Sequence, residues 1–350
     1  MEIEKLLEEL ANAHGISGNE ESIRKIMERE IKPYVDTIEV DKMGNLIGTK
    51  KGTGPSIMLA AHMDEIGLMV KYVDENGFLR FVTIGGWFDQ TLHSQRVMVH
   101  TTKGPIPGVI GSKPPHVMKD EDKKKPIKAE EMFVDVGAKD KEDAENLGIE
   151  VGTPISIDRN FVALQNGLYT SKAFDNRVGV AMVIDALKQI SEMDIDATIY
   201  AVGTVQEEVG LKGARTSAFG LNPDIAIATD VTIPGDHPGI EKKDSALEVG
   251  KGPVITVVDG AGRGLMADKQ VVKWLKETAQ ENDLPHQLDV GDGGTTDATA
   301  IHLTREGVPS STISVAARYI HSPVEVISID DLKASASLVA KAAKNVGKYF

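Results

Sequence analysis

The sequence predicts an α/β fold: a mixed, largely parallel sheet flanked by helices, with a small β-barrel-like domain inserted into it. Three observations carry this expectation. Apolar runs at 56–61, 197–202, 224–228, 254–258 and 309–315 alternate with helical patterns, as in strands covered on both faces by helices. Between residues 67 and 162 the texture changes to short alternating runs punctuated by Gly, Asn and Asp, with helical pattern confined to 141–147. At 350 residues the chain is long for one domain, and its 41% hydrophobic content fits a large core with an addition. Residues 1–66 and 163–350 are therefore expected to form one domain, and 67–162 a second.

Composition excludes several function classes. With 39 basic and 53 acidic residues the formal charge is −14, which disfavours nucleic-acid backbone and anionic membrane as partners. There is no cysteine, so disulfides and thiolate ligands are excluded and His, Asp and Glu are left to bind metal. The start, Met1 to Leu10, reads as an acidic amphipathic helix without the basic flank and apolar block of a signal peptide. No apolar run approaches the roughly 20 residues that span a bilayer. A cytoplasmic protein is expected.

In order, Ser17 and Glu20 fit a capping box before a second helix. His14 reads as a loop residue. Runs 38–41 and 45–48 read as short strands joined at Met43-Gly44, and 56–61 as a central strand that ends in His62-Met63-Asp64. A His and an Asp two apart share one side of an extended chain, so Asp64 could orient the His62 ring, directly or through the backbone. A lone His-x-Asp equally fits a satisfied core histidine. Within 67–162, alternating runs at 68–73, 78–82, 96–100, 132–136 and 154–157 read as strands. His93, His100 and His116 have no local partners. Lys172-Ala173-Phe174-Asp175-Asn176-Arg177 opens a helix, and capping suffices to explain Asp175. Strand 197–202 delivers Glu207 and Glu208, and 224–228 ends at Thr229-Asp230. Gly291 to Asp297 is a glycine-rich turn without the lysine of a phosphate-binding loop. Arg318 to Pro323 follows a strand, and a last helix begins near Ile329.

Open α/β sheets place their sites at the carboxyl ends of strands. His62, the Glu207-Glu208 pair and Asp230 fall just past such ends, and Asp175 and His321 lie at comparable junctions. Two His and several carboxylates without Cys suit divalent cations such as zinc, cobalt or manganese.

Ala61-His62-Met63-Asp64-Glu65-Ile66-Gly67, Lys172 to Arg177, Val205-Gln206-Glu207-Glu208-Val209-Gly210, Thr229-Asp230-Val231 and Tyr319-Ile320-His321-Ser322-Pro323 together resemble the motifs of the tetrahedral aminopeptidases. These dinuclear metallopeptidases include glutamyl aminopeptidases, and the likeness runs almost end to end. The resemblance implies a metallopeptidase catalytic domain and two divalent ions per subunit, zinc or cobalt. It implies that His62 and Asp230 bind one ion, that Glu208 and His321 bind the other, and that Asp175 bridges. It makes Glu207 the general base and has Asp64 orient His62. It also implies peptide substrates, dimerisation through 67–162, and dimers assembled into a tetrahedral dodecamer.

The chemistry is coherent in its own terms. Paired cations acidify water and polarise a carbonyl, while an unligated carboxylate carries the proton to the leaving amine. Deacylases and carboxypeptidases use similar centres and differ in what anchors the substrate end. An endoglucanase needs two free carboxylates flanking the bond. A self-assembling shell or binding protein is the non-enzymatic alternative. The spacing does not set side-chain preference.

Overall fold

The computed structural model describes residues 2–350. Two helices open it, α1 (Ile3–Asn12) and α2 (Glu21–Ile31). In α1, Ile3, Leu6, Leu7 and Leu10 fall on one face and are all buried. Burying one such leucine is worth about 1.5–3 kcal/mol. Met1, the expected start of this helix, lies outside the described residues. Strands β1 (Thr37–Val40), β2 (Leu46–Lys50) and β3 (Ser56–His62) follow. The β1–β2 turn closes on Asp41, which accepts from the N–H of Met43, Gly44 and Asn45, and Gly44 supplies a φ of +101°.

The chain then closes into a barrel. Its strands are β4 (Gly67–Val73), β5 (Leu79–Ile84), β6 (Arg96–Thr101), β7 (Gly104–Gly111), β8 (Phe133–Asp135) and β9 (Pro154–Ile157), in the order β4-β5-β8-β7-β6-β9. Helix α3 (Lys141–Asn146) lies between β8 and β9. Leu68, Val70, Val97, Val99, Ile110 and Val134 fill the interior, one residue in two along their strands. The sequence does not announce β7, because Pro105 and Pro107 argue against a strand. Both are exposed, and β8 pairs only with Val109 to Gly111, so at the prolines β7 has a neighbour on one side only.

The remainder comprises β10 (Val162–Ala163), β11 (Leu168–Ser171), α4 (Phe174–Ser191), β12 (Thr198–Thr204), α5 (Lys212–Leu221), β13 (Ile225–Thr232), β14 (Val254–Val258), α6 (Lys269–Glu281), β15 (Gln287–Val290), α7 (Asp297–Ile301), β16 (Ser310–Ala316), β17 (Glu325–Ser328) and α8 (Ile329–Asn345). The large sheet runs β1-β2-β12-β3-β13-β16-β14-β15. Its centre, β12, β3, β13 and β16, is parallel, as is the β14–β15 pair, while β1, β2 and the β14–β16 contact are antiparallel. This is the expected mixed, largely parallel sheet. β10, β11 and β17 form a separate three-stranded sheet that sequence reading did not separate out.

Alternation along β3 sorts the layers. Ile57, Leu59 and Ala61 join the cluster of α4 and α8, whereas Met58 and Ala60 join that of α5 and α7. The parallel centre brings the carboxyl ends of β3, β12 and β13 to one edge.

Two local expectations are corrected. Ser17 and Glu20 form no capping box: Ser17 Oγ donates to Asp64 Oδ2 at 2.6 Å, and Glu20 accepts from the N–H of Gly18 and Gln206. Glu20 itself directly precedes α2 and makes no side-chain cap. Asp175 is not the N-cap of α4 either. Asp175 and Asn176 are non-helical, and Asn176 Oδ1 accepts from Gly179 N at 2.9 Å in the capping role. The Asp175 carboxylate is thereby free to face His62.

Candidate metal centre

The residues at that edge converge. His62, the last residue of β3, points Nε2 at Asp175 Oδ1 (3.1 Å), Asp230 Oδ1 (3.8 Å) and Glu207 Oε2 (4.0 Å). Asp175 Oδ2 lies 3.4 Å from His321 Nε2, which is 3.2 Å from Glu208 Oε2. Helix α4 supplies Asp175, the turn after β12 supplies both glutamates, β13 supplies Asp230, and the loop between β16 and β17 supplies His321. They line a cavity of about 550 Å³. The loop between β5 and β6 contributes to it at Gly86, where a Cβ would stand 3.0 Å from His321 Nδ1.

Three overlapping groups have donor atoms within 4.8 Å of one another: His62, Asp175 and Asp230; Asp175, Glu208 and His321; and His62, Glu207 and Glu208. The first two are mutually compatible, because Asp175 presents one oxygen to each histidine. The third competes for the single Nε2 lone pair of His62. Compatibility thus singles out two three-residue groups joined at Asp175, with Glu207 outside both.

Electrostatics supports cation binding. Burial alone would disfavour a charged His62, but Glu207, Asp175, Asp64 and Asp230 around it raise its pKa well above the ordinary value. Burial likewise opposes the charged form of His321, yet bonds to Asp175 and Glu208 push its pKa up to about 11. Burial raises the carboxyl pKa of Asp230 and Glu207 strongly and that of Glu208 as well, each with neighbouring acids adding to the effect. Among the acids of these groups Asp175 goes down: burial raises it, and the two imidazoles more than reverse this. Glu208 Oε1 is buried without a hydrogen-bond partner. Crowded carboxylates, an orphan acceptor and two imidazoles suit divalent cations, whose charge would offset the repulsion.

Buried groups behind the centre hold it. His62 Nδ1 faces the Asp64 backbone O at 3.1 Å, and Asp64 Oδ1 at 3.6 Å, so Asp64 orients the ring mainly through its main chain. The Asp64 carboxylate instead accepts from the N–H of Glu207 (3.0 Å) and Glu208 (3.2 Å) and fixes the turn that carries them. Glu65 accepts from Gly15 N, Lys172 Nζ and Arg177 Nη2, which ties the His62 segment to the Asp175 segment. Sequence reading missed Glu325. It is 2% exposed and accepts from Asp175 N through Oε2 and from His321 N through Oε1, both at 3.0 Å. Its one sequence signal is the apolar stretch around it, in which a carboxylate is out of place. His321 has φ +60°, Ala173 +59° and Gln206 +56°, the left-handed backbone that concentrates at functional sites.

Asp297 was also missed. Its Oδ2 accepts from Thr204 Oγ1, its Oδ1 has no partner, and burial pushes its pKa up to about 6. The remaining histidines stand elsewhere. His14 and His100 share Ser156 Oγ, each at 2.8 Å, His93 contacts Ser94 and Ser112, and His116 sits in an exposed turn.

Comparison with known proteins shows the family. The family model of the M42 glutamyl aminopeptidases matches residues 44–338. Lysyl aminopeptidase of Pyrococcus furiosus is 36% identical over 94% of this chain and 93% of its own. The solved aminopeptidase APDkam598 from the archaeon Desulfurococcus kamchatkensis is 46% identical with a TM-score of 0.93, covering 98% of this chain and 94% of that one. The Pyrococcus horikoshii TET1 peptidase, described as able to assemble into a tetrahedron or a large octahedral shell, is 33% identical with a TM-score of 0.88, covering 97% and 99%. With the matched model spanning most of its length and its fold shared throughout, the chain belongs to the M42 glutamyl aminopeptidase family.

Proposed function

We propose that this protein is a metal-dependent aminopeptidase that removes N-terminal residues from peptides. The carrying observation is the pair of compatible donor groups sharing Asp175, with one carboxylate, Glu207, beside them and unclaimed. In this reading His62 and Asp230 would hold one divalent ion, Glu208 and His321 would hold a second, and Asp175 would serve both. Bound cations would supply Lewis acidity toward the scissile carbonyl and toward water. Glu207 takes the proton of the attacking water and returns it to the leaving amine. Asp64 keeps Glu207 in place through its N–H.

Zinc and cobalt are the ions we expect, in the cytoplasm. We further propose residues 1–66 and 163–350 as the catalytic domain and 67–162 as the dimerising one, the dimers building a tetrahedral dodecamer like the shell-forming relative. Among the described residues no helix is long and apolar enough to cross a membrane.

The decisive experiment compares free and N-acetylated peptides after incubation with zinc or cobalt. Stepwise release from the free amino end alone is expected, and a chelator should stop it. Preferential cleavage of the acetylated peptides would move the reading to a deacylase.

Two further outcomes follow from the geometry. Glu325→Gln keeps one acceptor but turns an NH₂ toward the second backbone N–H. Metal affinity, measured by competition with a chromophoric chelator, is expected to fall about 10–100-fold; unaltered affinity would show that Glu325 positions nothing. The metal-free protein should lose thermal stability between about pH 6 and about pH 9. Asp297, with a folded pKa of about 6 against an ordinary 3.8, keeps on folding a proton that the unfolded chain has released, so that stabilisation is gone once the pH passes its folded value. His321, raised to about 11 from 6.5, stabilises fully below 6.5 and loses that contribution steadily as pH climbs toward the higher value. Within this window the decline comes from His321, because Asp297 has released its proton by about pH 6. A melting temperature that rises with pH over this window would contradict the electrostatics described here.

A further inference from the structure

The cavity continues past the metal centre along the end of β13. Thr232 lies two residues beyond Asp230, on the same side of the strand and about 7 Å further on. Its Oγ1 donates to Asp289 Oδ2 at 3.3 Å, and Asp289 comes from β15 at the far edge of the sheet. The curl of the sheet thus brings an edge-strand carboxylate onto the wall of the cavity that Asp230 also lines. Asp259 lines the same wall, buried, with Oδ1 accepting from Leu265 N and Oδ2 from Thr299 Oγ1 at 3.4 Å. Asp259 is buried and held by two donors, whereas Asp289 is only half-buried and meets one side-chain donor, Thr232.

The rest of the lining sharpens the contrast. Ile233 and Ile320 provide apolar surface, and among the described residues no Lys or Arg side chain lines the cavity. Burial raises the pKa of both aspartates, and the charge of Asp259 adds to the effect on Asp289. The nearby Arg263 is exposed and donates to Gly260 O without lining the cavity. A glutamate side chain placed here would be a third carboxylate with no cation to meet it. A lysine or arginine would lay its methylenes against the isoleucines and bring its charge to Asp289.

We infer that this cavity selects peptides with a basic N-terminal residue, lysine or arginine, and that Asp289 receives the side-chain cation. The inference rests on the aminopeptidase reading and adds the substrate class. Family likeness does not supply it, since the family carries a glutamyl name and one relative a lysyl one.

The test is kcat/KM on lysyl-, arginyl-, leucyl- and glutamyl-p-nitroanilide with the metal-loaded enzyme. Both basic substrates are expected to lead, with glutamyl last. Asp289→Asn keeps an acceptor for Thr232 and should lower the lysyl-to-leucyl ratio about tenfold, mainly through KM. Asp289→Lys should raise glutamyl above lysyl turnover, a gain that misfolding does not produce. Faster turnover of leucyl or glutamyl than of both basic substrates by the parent overturns the inference and leaves the aminopeptidase reading standing. So does a lysyl-to-leucyl ratio that neither substitution moves. Absence of turnover on all four by the loaded parent overturns both.

Discussion

Glu207→Gln is expected to lower kcat about 10²–10⁴-fold while the bound metal, counted by elemental analysis, stays at the parent level. The amide keeps the size of the side chain and loses its ability to take a proton. The surroundings are not disturbed, because the turn is fixed through main chain: Asp64 accepts from the N–H of Glu207 and Glu208, whatever side chain position 207 carries. Glu207 Oε2 is 4.0 Å from His62 Nε2, the longest of the three separations around that nitrogen. It is therefore the acid farthest from that nitrogen, acting on the imidazole through its charge and not through a hydrogen bond. Parent-like rates in the variant would remove Glu207 as base. Loss of an ion together with activity would instead make it a ligand and restore the competing group of His62, Glu207 and Glu208.

Asp175→Ala should do more. Asp175 belongs to both compatible groups, with Oδ1 at 3.1 Å from His62 and Oδ2 at 3.4 Å from His321. Removing it takes a donor from each ion at once and leaves two imidazoles facing buried carboxylates. Elemental analysis is expected to find both ions depleted, with activity below detection. His321→Ala should deplete only one, since His321 stands in one group. Thermal melts of the chelated proteins separate ligand loss from unfolding: without metal, Asp175→Ala should still melt cooperatively. Retention of one full equivalent in Asp175→Ala would show that the carboxylate does not serve both ions.

The fold was legible where one element carries its own pattern. The continuous apolar runs of β3, β12 and β13 identify strands covered on both faces, and the structure places them side by side and parallel. The spacing in α1 is that of a helix with one wet side, which it is. Elements that depend on their neighbours were not legible. β7 is a strand despite two prolines because its partner β8 is too short to require their missing N–H groups. β17 is four residues long, and its Glu325 looks misplaced until Asp175 and His321 arrive against it. Capping suffices for Asp175 on sequence grounds, and only the non-helical backbone at Asp175 and Asn176 assigns the role to Asn176.

The chain alone fixed the kinds of groups available. With no cysteine and six acids or histidines near strand ends and helix starts, an oxygen-and-nitrogen metal centre was the reading those residues permitted. Which oxygen meets which nitrogen was decided by the folded sheet, since the donors come from segments as far apart as His62 and His321. The same holds for the bracing. Asp64 and Glu325 act on backbone N–H groups, which every residue but proline possesses and which therefore leave no trace in side-chain order. The pocket charge has the same origin: Asp289 joins the cavity because the sheet curls, and curl arises from the summed twist of many strands rather than from any residue type at position 289.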